Sequence, residues 1–372
     1  MGEQWNWAGN LRYSAAECRA PETVDEVRRL VARAAKVKAL GTRHSFSRIA
    51  DTAGMHISLE NMRRVLDFDP ERRTVTVEGG VRYVDLSRFL DERGWTLANF
   101  ASLPHISIAG ACATATHGSG DRNRCLSAAV AAMDIVTGEG DLVRIARGDE
   151  DFPGAVVHLG GIGVVAALTL DIVPSFRVAQ RVYENLPFDA LRERLDDLFG
   201  CGYSVSLFTD WTAPRFTQVW VKRLADEAQD PKTADLPARL GAAPAPAKRH
   251  PAAGFPPENC TEQLGIPGPA WNRLPHFRME YTPSAGEELQ SEYYVARRDA
   301  YAALCAVAEM KEEIAPHLYV TEVRSIAADD FWMSPAYGRD SVGIHFTWKK
   351  HEDAVRRLLP RSRCRRRWRS QP

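Results

Sequence analysis

Residues 101–120 read Ala-Ser-Leu-Pro-His-Ile-Ser-Ile-Ala-Gly-Ala-Cys-Ala-Thr-Ala-Thr-His-Gly-Ser-Gly, a stretch without one acidic residue, lysine, arginine, phenylalanine, tyrosine or tryptophan. Small residues and hydroxyls over such a length let several backbone N–H groups approach a phosphate with no side chain in the way. Residues 40–46, Leu-Gly-Thr-Arg-His-Ser-Phe, have the same character. The apolar run 37–40 before them reads as a short strand that delivers the chain into the turn. A strand, a glycine turn and then hydroxyls is the setting of a phosphate cradle, though alone it is a weak signal. Together the two stretches read as loops that form the halves of one cofactor cradle.

With 372 residues and 45% hydrophobic content the chain can fill two cores. Formal charge is zero, but six of the 48 basic residues are arginines between 361 and 370, which leaves 42 basic against 48 acidic elsewhere. A mildly acidic body argues against a nucleic-acid surface. Seven scattered cysteines with no short Cys-x-x-Cys spacing fit a reducing compartment, and neither a disulfide framework nor a zinc site. The first ten residues do not resemble a secretory leader, and no apolar stretch reaches bilayer length. The expectation is a soluble, cytoplasmic monomer that binds a small molecule, with neither nucleic acid nor membrane as partner.

Residues 21–35 open with Pro-Glu-Thr-Val-Asp-Glu and set Val24, Val27, Leu30, Val31 and Ala34 on one face, the pattern of an amphipathic helix. Thr74, Thr76 and Glu78 alternate with Val75 and Val77 in a strand that ends at Gly79 and Gly80. A helix at 83–93, a hairpin of 129–136 with 141–146, a helix at 149–157 and an apolar strand at 164–173 follow. This alternation predicts an α+β domain of mixed sheets over residues 1–174, and no well-placed Gly-x-Gly-x-x-Gly supports a doubly wound nucleotide fold. Beyond Pro174, strands at 178–186, 203–211, 218–224, 318–326 and 342–349, with helices at 191–199 and 299–311, predict a second mixed-sheet domain over 175–350. Residues 230–258, rich in proline and alanine, read as a surface excursion.

In the strand at 318–326, Glu322 and Arg324 share one face while Thr321, Val323 and Ser325 share the other. In the strand at 342–349, His345, Thr347 and Lys349 oppose an apolar face of Ile344, Phe346 and Trp348. If the two polar faces meet, they line a pocket able to grip several hydroxyls. On spacing alone Glu322 and Arg324 fit a surface ion pair equally well, and His345 and Thr347 a structural role. His44 by itself fits a structural hydrogen bonder. His105 and His117 lack a third ligand at metal-binding spacing, so no metal is expected. Cys112 reads as a small buried residue.

Gly-Thr-Arg-His-Ser-Phe at 41–46 and Ser-Leu-Pro-His-Ile-Ser at 102–107 resemble the flavin-binding signature of alditol (xylitol) oxidases, members of the vanillyl-alcohol oxidase superfamily. Further matching segments lie in order at 6–10, 203–211, 259–263, 289–293 and 334–340, so the resemblance spans nearly all of residues 5–350. It implies an α+β protein with a PCMH-type FAD-binding domain and a mixed-sheet substrate (cap) domain, and FAD carried covalently by His44. It implies that Ser102 lies beside flavin and substrate. Gly41, Thr42, Arg43, Ser45, Ser107, Gly110, Thr114, Thr116, His117, Gly118 and Val164 would contact FAD. Glu322, Arg324 and Thr347 would hold the polyol, with His345 nearby. The implied reaction oxidises an alditol such as xylitol or sorbitol at a terminal CH–OH, with O2 reduced to hydrogen peroxide. A sugar-1,4-lactone oxidase or dehydrogenase of the same superfamily is the alternative.

After about residue 350 the resemblance ceases. Family members continue with a His-Trp-Gly-Lys-like segment whose lysine sits at the flavin, whereas this chain becomes arginine-rich and shows no apolar periodicity. Residues 351–372 read either as a basic tail for nucleic acid or an anionic membrane or as the product of a shifted frame or early stop. The composition favours the second reading, which implies family-type FAD sites with impaired or absent turnover. A non-catalytic flavoprotein is the corresponding alternative.

Overall fold

A computed structural model describes residues 4–228, 230–281 and 288–364. In the first half the amphipathic helix forms at Val24–Arg33: Thr23 accepts a hydrogen bond from the Glu26 amide at 3.2 Å, and Asp25 and Glu26 sit in the first turn, where the helix dipole favours acids. Its buried Val27 and Val31 pack on a parallel three-stranded sheet ordered Glu17–Arg19, Met55–Ser58, Val37–Leu40. A five-stranded antiparallel sheet runs Val65–Asp69, Thr74–Glu78, Val164–Asp171, Val130–Val136, Leu142–Ala146. One core, with Val136, Val164 and Ala166, joins it to the small sheet. The other holds Val75, Val77, Met133 and Ile135 against the helix Tyr83–Asp91.

Three local expectations change. The helix at 149–157 contracts to Phe152–Val156. Glu78, placed by alternation on a polar face, is buried, because the Arg64 guanidinium and amide bind its carboxylate at 2.7–3.0 Å. The run 101–120 is not all loop: Ile108–Ala113 is a six-residue helix starting from Ser107. Alanines there favour the helix once its apolar face is buried.

The second half is one large antiparallel sheet, ordered Ala243–Pro244, Arg177–Pro187, Arg215–Leu224, Ser204–Thr209, Leu318–Ile326, Ser341–Lys349, Glu288–Ala296, with Gly268–Pro269 also paired to Arg177–Pro187. Val323, Ile344, Phe346 and Trp348 bury one face against the helices Leu195–Phe199 and Ala300–Ala308, as their period-two spacing predicts. The helix at 191–199 is broken into a turn at Phe188–Leu191 and the shorter helix. The strand Glu288–Ala296 was not predicted, although Leu289, Ser291, Tyr293 and Val295 alternate with Gln290, Glu292 and Tyr294.

The supposed surface excursion is also corrected, since Ala245 and Ala252 within it, and Cys260 just after it, are buried against Phe208 and Trp220 on the sheet's second face. Beyond residue 350 the chain forms a helix, Glu352–Cys364, whose Val355 and Leu358 enter the helix-side core, while Tyr293 donates to the Leu359 carbonyl at 2.9 Å. Apolar residues three apart do supply the periodicity denied to this segment. The arginine-rich end at 365–372 lies outside the described residues. Among those described, no helix is long and apolar enough to cross a membrane.

The two halves share side chains. Val178, Leu274, Met279 and Phe331 enter the core of the helix Tyr83–Asp91, Arg297 grips both Asp121 oxygens at 2.5 and 3.0 Å, and the Gly120 amide donates to the Ser325 carbonyl at 2.9 Å. This seam sets the 101–120 region against the polar edge of the large sheet.

Candidate active site

The loop after Val37–Leu40 is clamped by the N-terminal segment. The Trp7 amide donates to the Arg43 carbonyl at 2.7 Å, and the Asn6 side chain donates to the Ser45 carbonyl at 3.1 Å. Arg43 stands at φ 62°, a left-handed conformation that strains a side-chain-bearing residue. The His44 ring lies 4.9 Å from Trp7, 5.3 Å from His105 and 5.6 Å from Phe46, and Trp7 stacks on His105 at 4.9 Å. Both ring nitrogens of His44, both of His105 and the Trp7 indole nitrogen are buried without a hydrogen-bond partner. Burial, then His105 and His345, pushes the His44 pKa down to about 3, and burial with Arg82 pushes that of His105 down to about 4. Both imidazoles are therefore neutral at pH 7, and a neutral ring nitrogen keeps a lone pair for bond formation.

The two loops meet at Ser107. A Cβ at Gly41 would stand 2.9 Å from Ser107 Oγ, and one at Gly110 2.8 Å from it, so a side chain at either position would displace that hydroxyl. At Gly118 a Cβ would lie 2.3 Å from the Phe100 carbonyl oxygen. Thr114 donates to the Gly110 carbonyl at 3.0 Å and shares a 3.2 Å contact with Thr116. Ser102 and Thr42 are half-buried and Arg43 is exposed. Val164 is buried opposite Val136 in the core between the sheets. Unpaired imidazole and indole nitrogens beside glycine-opened backbone fit a large, planar, polar group such as FAD.

On the second side, three strands bring Glu292, His345 and Glu322 into register. Glu322 and Arg324 are 6% and 7% exposed, which removes the surface ion pair as a reading. Arg324 donates to Glu292 Oε1 at 2.9 Å, and its Nε, 3.7 Å from Glu322 Oε2, has no hydrogen-bond partner. Burial opposes charge on both acids. It is outweighed at Glu322 by Arg324 and His276, and at Glu292 by His117 and Arg324, so both carboxyls stay well below the usual range. His345 is held below its ordinary pKa by burial and contacts Gln290 Oε1 through Nε2 at 3.2 Å. Thr347 pairs with Gln290 and is half-buried.

His117, expected at the cofactor, joins the two sides. Its Nδ1 donates to the Gly118 carbonyl at 2.8 Å, while its Nε2 lies 3.1 Å from Tyr294 Oη and 3.2 Å from Glu292 Oε1. Sequence reasoning missed Glu292 and Tyr294, although the alternation in 288–296 carried a signal, and Lys222 and His276, for which no local signal exists. No group of three or more His, Cys, Asp or Glu side chains among the described residues could hold a metal ion.

A family model described as an FAD binding domain matches residues 16–146. An alditol oxidase from a Streptomyces species is 48% identical over 353 residues, covering 94% of this chain and 83% of that protein. An L-gulono-1,4-lactone dehydrogenase from Mycobacterium tuberculosis is 29% identical over 367 residues, 93% of this chain and 83% of the relative. Cholesterol oxidase from B. sterolicum superposes with a TM-score of 0.71, covering 97% of this chain and 82% of the other, and at 13% identity shares the fold alone. The matched FAD-binding segment agrees with the cradle around His44, and nearly half the residues agree with one relative over most of its length. The chain belongs to the alditol oxidase family of FAD-dependent flavoproteins.

Proposed function

We propose that this protein oxidises sugar alcohols, with FAD bonded to His44 and O2 as the electron acceptor. The observation that carries the reading is the register Glu292, His345 and Glu322 across three strands, closed by Arg324. When bound, FAD supplies the hydride acceptor for a CH–OH carbon. His44 and His105, neutral and unpartnered, present nitrogens to it, and Ser102, Ser107 and the backbone at Gly41, Gly110, Thr114, Thr116 and Gly118 frame it.

Glu322, held ionised, is a poor base but a good acceptor, so it orients the polyol by taking hydrogen bonds from its hydroxyls. Arg324 Nε, a buried donor without a partner, meets a hydroxyl oxygen and stabilises the negative charge that grows there. Neutral His345 donates from Nε2 to Gln290, which leaves Nδ1 to take the hydroxyl proton. Thr347 adds one further hydroxyl. In this reading residues 1–174 hold FAD, residues 175–350 hold the polyol, and the protein works as a cytoplasmic monomer.

A lactone donor is the second reading, supported by the 29% identical lactone dehydrogenase. A peroxide assay with xylitol, sorbitol and L-gulono-1,4-lactone decides between them. Peroxide from the polyols alone supports the first; peroxide from the lactone alone, or reduction of an artificial electron acceptor by the lactone alone, supports the second; acid-stable flavin with neither peroxide nor acceptor reduction from any of the three overturns both.

A further inference from the structure

Behind Glu322 lie two side chains that the mechanism above does not use. Lys222 is 1% exposed, on a strand separated from that of Glu322 by Ser204–Thr209. Its Nζ reaches the Leu274 carbonyl at 2.5 Å, His276 Nδ1 at 3.1 Å and the Pro275 carbonyl at 3.5 Å, three acceptors for three N–H bonds and no carboxylate among them. His276 Nε2 lies 2.7 Å from Glu322 Oε1. Proton accounting gives both bonds a direction. An ammonium can only donate, so His276 Nδ1 accepts, the ring proton stands on Nε2, and Nε2 donates to Glu322. Glu322 and Arg324 are the buried charged groups nearest in this chain of contacts, and none of the three acceptors of Lys222 is itself charged. A buried cation of this kind is costly where an apolar side chain would pack equally well.

We infer that Lys222 and His276 are positioning residues for the polyol site: Lys222 sets the His276 tautomer, and His276 ties up one Glu322 oxygen so that the other alone is left for substrate. The substrate part rests on the polyol reading; the coupling of the three side chains does not. Glu322 and Arg324 face Lys222 from the strand beyond Ser204–Thr209, and Cys260 and His276 from the segment folded over the sheet. Burial, against Glu322 and Cys260, lowers the Lys222 pKa to about 7. A neutral amine can also accept from Nδ1–H, so above that pH Lys222 no longer enforces the tautomer and only the Glu322 carboxylate does.

The test uses the flavin-loaded protein, with Lys222→Met, His276→Phe, His276→Gln and Glu322→Gln. Lys222→Met and His276→Phe should each raise the KM for xylitol roughly tenfold with kcat changed less than about threefold, and Lys222→Met should remove the inflection near neutral pH. His276→Gln, which keeps one donor and one acceptor, should recover most of the KM. A second readout needs no turnover: NMR of the labelled lysine side chains should show one titration near neutrality, absent in Lys222→Met and shifted to lower pH in Glu322→Gln. KM and pH profile unchanged within about twofold in Lys222→Met, or a lysine titration indifferent to Glu322→Gln, would overturn the inference. A parent that oxidises neither polyol nor lactone would instead sink the proposed function, and the NMR coupling would still decide this one.

Discussion

The loop side of the site and the sheet side are built on opposite principles. Around His44, five buried nitrogens of His44, His105 and Trp7 have no hydrogen-bond partner, and Gly41 and Gly110 strip the backbone of side chains. Around Glu322, donors meet acceptors: Arg324 binds Glu292, His276 binds Glu322, and Lys222 finds three acceptors. A buried polar atom without a partner costs about 1–3 kcal/mol, so the loop side gains more from a group that binds these nitrogens than the sheet side, where most polar atoms are already paired. Cofactor binding is therefore expected to stabilise the loop side more than the sheet side.

The largest test of that contrast is His44→Ala. Acid precipitation of the parent should leave a yellow pellet and that of the variant a colourless one; a yellow variant pellet breaks the assignment of the loop side. Arg324→Met comes next, because it leaves Glu292 and Glu322 facing each other in a buried site, and urea unfolding should show a loss of about 3–5 kcal/mol. A loss below about 1 kcal/mol would mean the sheet side is as open as a surface ion pair. Third, loading dissociable FAD onto His44→Ala at a hundredfold excess over Kd should add about 2.7 kcal/mol. Hydrogen-exchange protection should rise at residues 41–46 and 102–118 and stay unchanged at Leu318–Ile326.

The last test, read only as a difference in slope, is in acid. The ordinary value of 6.5 for His44, His105 and His276 falls to about 3, 4 and 4 in the fold. Between pH 6.5 and about 4 the unfolded imidazoles bind protons that the folded ones refuse, so stability falls as pH drops through that window, by up to about 1.4 kcal/mol per pH unit for each group. His44 extends the window to about pH 3. Melting temperature against pH, compared between the parent and His276→Phe, should show a shallower acid slope in the variant; parallel curves would mean that the sheet side contributes nothing to acid lability.

The chain by itself determined what depends on near neighbours. Period-two alternation set Glu322 with Arg324 and His345 with Thr347 on polar faces, because a pleated strand turns successive side chains to opposite sides. Small residues at 41–45 and 107–118 announced a backbone open to phosphate, and the flavin signature around His44 assigned it. Tertiary structure alone decided that Glu292 and Tyr294 would meet His117, 177 residues away in the case of Tyr294, and that His276 would reach Glu322 across 46. It also turned the expected loop at 108–113 into a helix, folded part of 230–258 onto the sheet and docked Val355 and Leu358 into a core. Periodicity records which face of an element is buried; which partner buries it depends on strand order and loop docking, which are set by the packing of the whole chain.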